Sequence, residues 1–200
     1  MSLPLNVRRI GIFGGSFDPV HVAHVALARI ALDTLPLEQV LFVPTGDAWH
    51  KQRTLTPAAH RVAMLQRAID GETRFAVDHR ELRRAGPSYT IDTVLELRAA
   101  EAAEWFMLIG QDQYAKLASW HRWSELLPLV TWAVAGRNGE APAASPEVAR
   151  VPHRVLFVPL PAMAVSSTEI RARLKRNERI DGLVPPTVAA YIESNHLYRS

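Results

Sequence analysis

The sequence predicts an α/β protein with a Rossmann-like, doubly wound, mostly parallel sheet and helices on both faces. Short apolar runs alternate with segments of helical periodicity along the 200 residues, and this alternation favours right-handed parallel crossovers. The expected strands are Ile10–Phe13, Val40–Val43, Phe75–Val77, Trp105–Ile109, Val130–Ala135 and Val155–Val158. The expected helices are Val22–Thr34, Pro57–Ile69, Thr90–Glu101, Asp112–Leu117, Ser124–Leu127, Thr168–Arg176 and Pro186–Asn195.

The elements follow from local patterns. The strands are short, uninterrupted apolar runs such as Ile10–Phe13, typical of strands that are covered on both faces of a sheet. The helix Val22–Thr34 is preceded by Asp18 and Pro19, an acidic residue and a proline that suit the beginning of a helix. Residues 138–149 are rich in alanine and proline and lack periodicity, so we expect a surface loop there.

The composition indicates one globular domain over residues 1–200, with a C-terminal helical part from about 166 to 200. Apolar residues make up 48% of the chain, and cysteine is absent, which excludes disulfides and thiolate zinc sites. No apolar run reaches the roughly 18 residues that cross a bilayer, and Met1–Arg9 lacks the apolar core of a signal peptide. We therefore expect a cytoplasmic protein that contacts no membrane. The net charge of +3 is weak evidence for nucleic-acid binding, and we expect the protein to bind no nucleic acid.

The residues from Gly14 to His24, between the first strand and the first helix, predict a phosphate site. A glycine turn exposes backbone N–H groups, and the N-terminus of a helix adds a partial positive charge. His21 and His24 are three residues apart and therefore share one face of that helix. A nucleoside triphosphate suits such a site. The alternative is a glycine turn followed by helix-capping histidines. Asp18 is expected to be a structural carboxylate of the turn rather than a metal ligand.

Two common nucleotide-binding motifs are absent. Gly11, Gly14 and Gly15 form G-x-x-G-G rather than G-x-G-x-x-G, and no acidic residue ends the second strand. The Walker A pattern is also missing. The sequence therefore favours neither an oxidoreductase that uses a dinucleotide for hydride transfer nor a P-loop nucleotide-binding protein.

A second informative string begins the helix near residue 167. Ser166 and Glu169 form an S-x-x-E capping box. Hydroxyls and free N–H groups at a helix start also suit an anion, and Arg171 in the first turn can pair with phosphate oxygens. Taken alone, the string indicates a capped helix. Both strings and Gly110-Gln111-Asp112 follow expected strands, and ligands of such sheets bind beyond the carboxyl ends of the strands.

The string from Gly14 to His24 resembles the signature of the nucleotidyltransferase superfamily, a glycine turn followed by [HT]-x-G-H. It matches at both histidines and departs at Ala23, where the family usually has glycine. Val165–Arg171 is similar to the I-S-S-T-x-[IV]-R motif of the pyridine-nucleotide adenylyltransferases. Further strings resemble the bacterial nicotinate-nucleotide branch over almost the whole chain. They are Pro44–Lys51, Pro87–Thr93, Gly110–Asp112 with Trp120, Leu183–Pro186 and Tyr191-Ile192.

This resemblance implies an adenylyltransferase that moves AMP from ATP to nicotinate mononucleotide, giving deamido-NAD and pyrophosphate in NAD biosynthesis. It implies Mg²⁺ held mainly by substrate phosphates, with no metal site built from protein side chains. The implied catalytic residues are His21, His24 and Arg171. The implied ATP contacts are Gly14, Gly15, Ser16, Phe17, His21, His24, Gly110, Asp112, Ser166, Ser167, Thr168 and Arg171. The implied mononucleotide contacts are Ser16, Lys51, Tyr89, Thr90 and Trp120.

Some alternatives remain open at this point. The acceptor could be nicotinamide mononucleotide or another phosphate, since the nicotinamide compound differs mainly in lacking the charge. A non-catalytic nucleotide- or RNA-binding protein on the same fold is a second alternative, although the basic residues are dispersed along the chain. A homo-oligomer is compatible with the sequence.

Overall fold

The computed structural model describes residues 7–46, 55–136 and 141–199. The strands in these ranges are β1 (Arg8–Gly15), β2 (Gln39–Pro44), β3 (Phe75–Val77), β4 (Ala103–Gly110), β5 (Thr131–Gly136) and β6 (Arg154–Pro159). The helices are α1 (Val22–Thr34), α2 (Ala58–Ile69), α3 (Arg80–Arg83), α4 (Thr90–Ala100), α5 (Gln111–Ala115), α6 (Trp123–Leu126), α7 (Pro146–Ala149), α8 (Ser167–Lys175) and α9 (Pro186–Ser194). Short 3₁₀ turns cover Leu117–Ser119 and Leu127–Leu129.

The six strands of the described residues form one sheet in the order β3-β2-β1-β4-β5-β6. Every neighbouring pair in this sheet is parallel. The chain first builds outward from β1 through β2 to β3, and then returns to place β4 on the other side of β1. The expected Rossmann-like α/β fold is confirmed, and the strand order reverses between β1 and β4.

Helices cover both faces of the sheet because the strand residues alternate between two apolar cores. On β1, Phe13 packs in one core, whereas Ile10 and Ile12 pack in the other. The first core also takes buried residues from α1, α2, α8 and α9, among them Leu27, Met64, Ile170 and Val188. The second takes buried residues from α4, α5, α6 and α7, among them Val94, Tyr114, Leu126 and Val148. The C-terminal helices therefore share a core with the helices that follow β1 and β2.

The largest difference from the sequence expectation lies in residues 138–149. Their last part forms the short helix α7 rather than loop, and the Ser145 hydroxyl caps it by accepting the N–H of Val148. Val148 is fully buried, but a single apolar residue gives no periodicity for a sequence analysis to detect. The four-residue α3 escaped detection for the same reason. The expected helix Asp112–Leu117 is divided into α5 and a 3₁₀ turn.

Candidate functional site

The point where the strand order reverses leaves open space at the carboxyl ends of β1 and β4. Gly14, the second-to-last residue of β1, is exposed. A Cβ atom added at Gly14 or at Gly110, the last residue of β4, would meet no heavy atom of the described residues within 4 Å. Ligands of doubly wound sheets bind in this crevice. The two glycines add no side chain of their own to it.

Phe17 holds the turn after β1 rather than pointing into the crevice. Its backbone is left-handed, with φ of 45°, and its ring is 1% exposed. The ring packs edge-on against Phe13, with 5.6 Å between the centroids, and against the His24 ring at 5.1 Å. Any contact that residue 17 makes with a ligand would therefore come from its backbone, while its side chain supports His24.

The two histidines form a stacked pair at the N-terminus of α1. Their ring centroids are 3.6 Å apart, with 21° between the ring planes. The backbone N–H of His21 donates to Nδ1 of His24 at 3.2 Å. Because that nitrogen accepts, the proton of a neutral His24 lies on Nε2. The expected helix cap is thus present, and it leaves the Nε2–H of His24 as the donor for a ligand.

Burial keeps both rings neutral near pH 7. Desolvation lowers the pKa of His21 to about 4. Burial, and to a smaller extent the neighbouring His21, lowers the pKa of His24 well below its usual value. Among the described residues, the buried Nδ1 of His21 has no hydrogen-bond partner. In this state the pair can offer N–H donors to a phosphate without carrying positive charge.

Hydrogen bonds join the two informative strings of the sequence. The Ser167 hydroxyl donates to the carbonyl oxygen of Pro19 at 2.9 Å. Arg171 donates from Nη1 to the carbonyl oxygen of Asp18 at 2.6 Å, and from Nη2 to the Thr168 hydroxyl at 3.3 Å. Ser166 is the expected cap of α8, since its Oγ accepts the N–H of Glu169. The N-termini of α1 and α8 therefore meet, with the Ser166 and Thr168 side chains near the surface.

Asp18 is the structural carboxylate that the sequence predicted. It is 0% exposed. Its Oδ1 accepts the Tyr198 hydroxyl at 2.6 Å, and its Oδ2 accepts the N–H of Thr56 at 3.3 Å. Burial and the hydrogen bond to Asp18 raise the pKa of Tyr198, so the phenol keeps its proton. Tyr198 was not identified from the sequence, because no local pattern links it to a turn 180 residues earlier.

Arg61 is a second residue that the sequence analysis missed. It lies in α2 and is 3% exposed, and its guanidinium donates to the carbonyl oxygens of Thr56, Ser16 and Thr45 at 2.9, 3.0 and 2.9 Å. The available signal was its spacing, since Arg61 shares a helix face with Met64 and Leu65, which are fully buried.

A separate pocket of about 460 Å³ lies between the start of α4 and the 3₁₀ turn after α5. It is lined by Ser88, Tyr89, Thr90, Ser119, Trp120 and His121. The Tyr89 ring stacks on His121, with 4.0 Å between the centroids and 26° between the planes. Trp120 packs edge-on against the buried Trp132. Three of the expected mononucleotide residues are thus together, and His121 joins them.

A buried carboxylate ties the loop before this pocket to the end of β2. Glu81 accepts the Thr93 hydroxyl at 2.8 Å and a backbone hydrogen bond from Gly46. Burial raises its pKa, against the opposing effects of these hydrogen bonds and of Arg84. A Cβ atom at Gly46 would collide with the backbone oxygen of Glu81. Glu81 was not predicted from the sequence, because nothing local distinguishes it from a surface glutamate.

Asp112, Ser16 and Lys51 are also among the expected site residues. Asp112 is exposed in the first turn of α5, two residues after Gly110. Ser16 contributes its carbonyl to Arg61, while Lys51 lies outside the described residues. Within 7–46, 55–136 and 141–199, no three His, Asp or Glu side chains are grouped as metal ligands would be. No helix in those ranges has the length and apolar character needed to cross a membrane.

Comparison with known proteins identifies the family. Residues 12–173 match the cytidylyltransferase-like family model. A protein of Methylibium petroleiphilum, named "Probable nicotinate-nucleotide adenylyltransferase", is 51% identical over 196 residues, which cover 96% of this chain and 92% of the relative. A protein of Albidiferax ferrireducens with the same name is 46% identical, with 97% of this chain and 100% of the relative covered.

Solved structures share the fold at lower identity. The nicotinic acid mononucleotide adenylyltransferase of Plasmodium falciparum, complexed with NaAD, superposes with a TM-score of 0.77 at 20% identity, over 96% of this chain and 97% of that one. The same enzyme complexed with APC gives a TM-score of 0.73 at 21% identity, covering 96% and 97% of the two chains. The match to the family model and the identities to the curated relatives show that the chain belongs to the cytidylyltransferase-like family and, within it, to the nicotinate-nucleotide adenylyltransferases.

Proposed function

We propose that the protein transfers the adenylyl group of ATP to nicotinate mononucleotide, giving deamido-NAD and pyrophosphate. The observation that carries the proposal is the meeting of the two strings. Ser167 and Arg171 bond to the carbonyls of residues 18 and 19, which brings the N-termini of α1 and α8 to the same place. Two helix N-termini, each with a partial positive charge, next to an arginine and a histidine pair, suit the polyanionic chain of ATP.

ATP is assigned to the crevice bordered by Gly14 and Gly110. Its phosphates would contact Gly15, Ser16, His21 and His24 from the first string. From the second string they would contact Ser166, Ser167, Thr168 and Arg171. Asp112, exposed after β4, is assigned to the ribose hydroxyls, which need a carboxylate acceptor. Phe17 is assigned to ATP only through its backbone, because its ring is buried.

The mononucleotide is assigned to the pocket of about 460 Å³. A pyridine ring needs a flat apolar partner, which Trp120 provides. The carboxylate of the nicotinate ring needs hydroxyl or N–H donors, which Tyr89 and Thr90 supply at the start of α4. Lys51 and Ser16 are assigned to its phosphate. The Plasmodium falciparum structure complexed with NaAD supports this pairing of substrates.

The reaction needs positioning and charge neutralisation more than proton transfer. A phosphate monoester has a second pKa of about 6 and is therefore mostly dianionic at pH 7. One of its oxygens attacks the α-phosphorus of ATP in line, a new P–O bond forms, and the bond from the α-phosphorus to the bridging oxygen breaks. The electron pair leaves with pyrophosphate. No general base is required, so the neutral histidines act as hydrogen-bond donors toward the departing charge, together with Arg171.

The proposal includes a Mg²⁺ ion carried by the substrates. Mg²⁺ keeps several water ligands and is held largely by phosphate oxygens in such sites. When bound, the ion neutralises negative charge on the phosphates. The protein residues bind and orient those phosphates, and no side chain is assigned as a metal ligand.

Pyrophosphate release tests the proposal. The purified protein would be incubated with ATP, Mg²⁺ and, in separate reactions, nicotinate mononucleotide, nicotinamide mononucleotide and phosphopantetheine. We expect fastest release with nicotinate mononucleotide, and deamido-NAD as the product identified by mass spectrometry. Faster release with another acceptor would reassign the substrate. Salt-sensitive RNA binding with no pyrophosphate from any acceptor would favour a non-catalytic protein.

A further inference from the structure

The guanidinium of Arg61 ties together two loops at the carboxyl edge of the sheet. Its Nη1 donates to the carbonyl of Ser16, in the turn after β1, and its Nη2 donates to that of Thr45, in the turn after β2. Its Nε donates to the carbonyl of Thr56, just before α2. A backbone hydrogen bond of 2.8 Å from the N–H of Thr45 to the carbonyl of Gly15, the last residue of β1, extends the pairing of β1 with β2 up to these loops.

The choice of side chain is informative because packing alone does not require it. Arg61 is 3% exposed and lies on the apolar face of α2. A methionine would fill much of the same volume without removing a cation from water. What the guanidinium adds is a planar fork with donors at fixed angles. That fork sets the relative position of the carbonyls it binds, and a lysine cannot reproduce it.

We propose that Arg61 is a positioning residue that aligns the two substrates for in-line transfer. The proposal rests on the proposed function, in which Ser16 of the turn after β1 contacts both ATP and the acceptor phosphate, and Lys51, which follows β2 in the sequence, contacts the acceptor phosphate. Arg61 fixes one loop relative to the other through backbone oxygens of Ser16 and Thr45. It touches neither substrate itself. Its loss should therefore leave each substrate bound but place the attacking oxygen badly relative to the α-phosphorus.

The test compares Arg61→Met and Arg61→Lys with a control in the same helix. The control is Arg67→Met, since Arg67 bonds to the carbonyl of Ala63 at 2.9 Å and covers the Tyr191 ring at 4.3 Å, away from both loops. Steady-state pyrophosphate release would give kcat and both KM values, and thermal unfolding would report stability. Titration with a non-hydrolysable ATP analogue would report the folded, binding-competent fraction.

We expect Arg61→Met to lose about 10²-fold in kcat, the typical consequence of a misplacement of about 1 Å, while both KM values and analogue affinity stay near those of the wild type. Arg61→Lys should retain an intermediate kcat, and Arg67→Met should lower the melting temperature without lowering kcat. Should Arg61→Met not fold, Arg61→Lys carries the test through the same split between kcat and KM. A wild-type kcat in Arg61→Lys or Arg61→Met, or a loss confined to KM, would overturn the proposal while leaving the proposed function intact. An inactive wild type would refute both.

Discussion

Arg171 in α8 donates a hydrogen bond of 2.6 Å to the backbone oxygen of Asp18, which lies 153 residues earlier in the chain. The acceptor belongs to the turn between β1 and α1, so the bond fixes the start of α8 beside the start of α1. The side chain of Asp18 is itself held by Tyr198 and by the N–H of Thr56. The region to which we assign the phosphates of ATP is therefore assembled from four distant parts of the chain.

Replacing Arg171 with lysine should separate charge from geometry. Lysine keeps the positive charge, but it cannot reproduce the fork that binds the Asp18 carbonyl and the Thr168 hydroxyl. We expect Arg171→Lys to lose about 10²-fold in kcat, the usual effect of removing one preorganised electrostatic group. The matched control is Arg173→Lys, since Arg173 pairs with Glu169 on the exposed face of α8. Equal turnover in both variants would mean that positive charge alone suffices at position 171.

Substitution of His24 by asparagine or by glutamine can distinguish its role as a helix cap from its role as a hydrogen-bond donor to phosphate. Asparagine places an acceptor close to the position of Nδ1, which receives the N–H of His21 at 3.2 Å, whereas glutamine places an N–H close to the position of Nε2. If Nε2–H binds phosphate, His24→Asn should lose about 10²–10³-fold in kcat, and His24→Gln should lose less. The measurement is pyrophosphate release at saturating ATP. Higher activity in His24→Asn than in His24→Gln would assign the residue to helix capping.

The buried histidine pair should make stability fall in acid. The pKa of His21 is about 4 in the folded protein because of burial, compared with about 6.5 when the chain is unfolded. The unfolded state therefore binds more protons between these values, and stability is lost as the pH falls from about 6.5 to 4. We expect His21 to contribute a loss on the order of 2 kcal/mol between pH 7 and pH 4.5.

Urea unfolding at the two pH values measures this loss. His21→Gln removes the titrating group, so its free energy of unfolding should fall less over the same interval. The exposed His196 provides a control for the His-to-Gln substitution itself, through His196→Gln. An identical pH dependence in wild type and His21→Gln would show that His21 does not carry the effect.

Trp120 and Trp123 offer a matched pair for the mononucleotide pocket. Trp120 lines the pocket of about 460 Å³, whereas Trp123 does not line it and packs against the second core at the start of α6. We expect Trp120→Ala to raise the KM for nicotinate mononucleotide and to leave the KM for ATP unchanged, because the lost surface is the flat partner of the pyridine ring. Trp123→Ala should mainly lower the melting temperature. The reverse result would move the stacking role to Trp123.

Local patterns were sufficient for the fold and for the residues at the helix starts. Each described strand was expected within two residues of its observed ends, because apolar runs and helical spacing are properties of neighbouring residues. The same holds for His21, His24 and Ser166, which stand at caps that short motifs reveal.

The supporting residues could not be predicted in the same way. Arg61, Glu81 and Tyr198 act on backbone oxygens, a distant threonine and a distant carboxylate, respectively. The Ser16 and Thr45 partners of Arg61 are brought together by the sheet order, which places β1 and β2 side by side. Glu81 lies 12 residues from Thr93 and Tyr198 lies 180 residues from Asp18, so no short motif joins either pair. A charged residue on the apolar face of a helix, such as Arg61 beside Met64, is a local sign that the side chain supports the site from within the core.

Gly14 and Gly46 should respond to alanine in opposite ways. A Cβ atom at Gly14 meets no atom within 4 Å in the part of the chain that the structure describes, while one at Gly46 collides with the backbone of Glu81. Gly46→Ala should therefore destabilise the protein by about 1–3 kcal/mol through overpacking. Gly14→Ala should leave the melting temperature unchanged but place a methyl group in the crevice assigned to ATP, so we expect the KM for ATP to rise by about tenfold, equivalent to about 1.4 kcal/mol. Thermal unfolding and ATP titration measure the two effects, and wild-type ATP affinity in Gly14→Ala would place the triphosphate elsewhere.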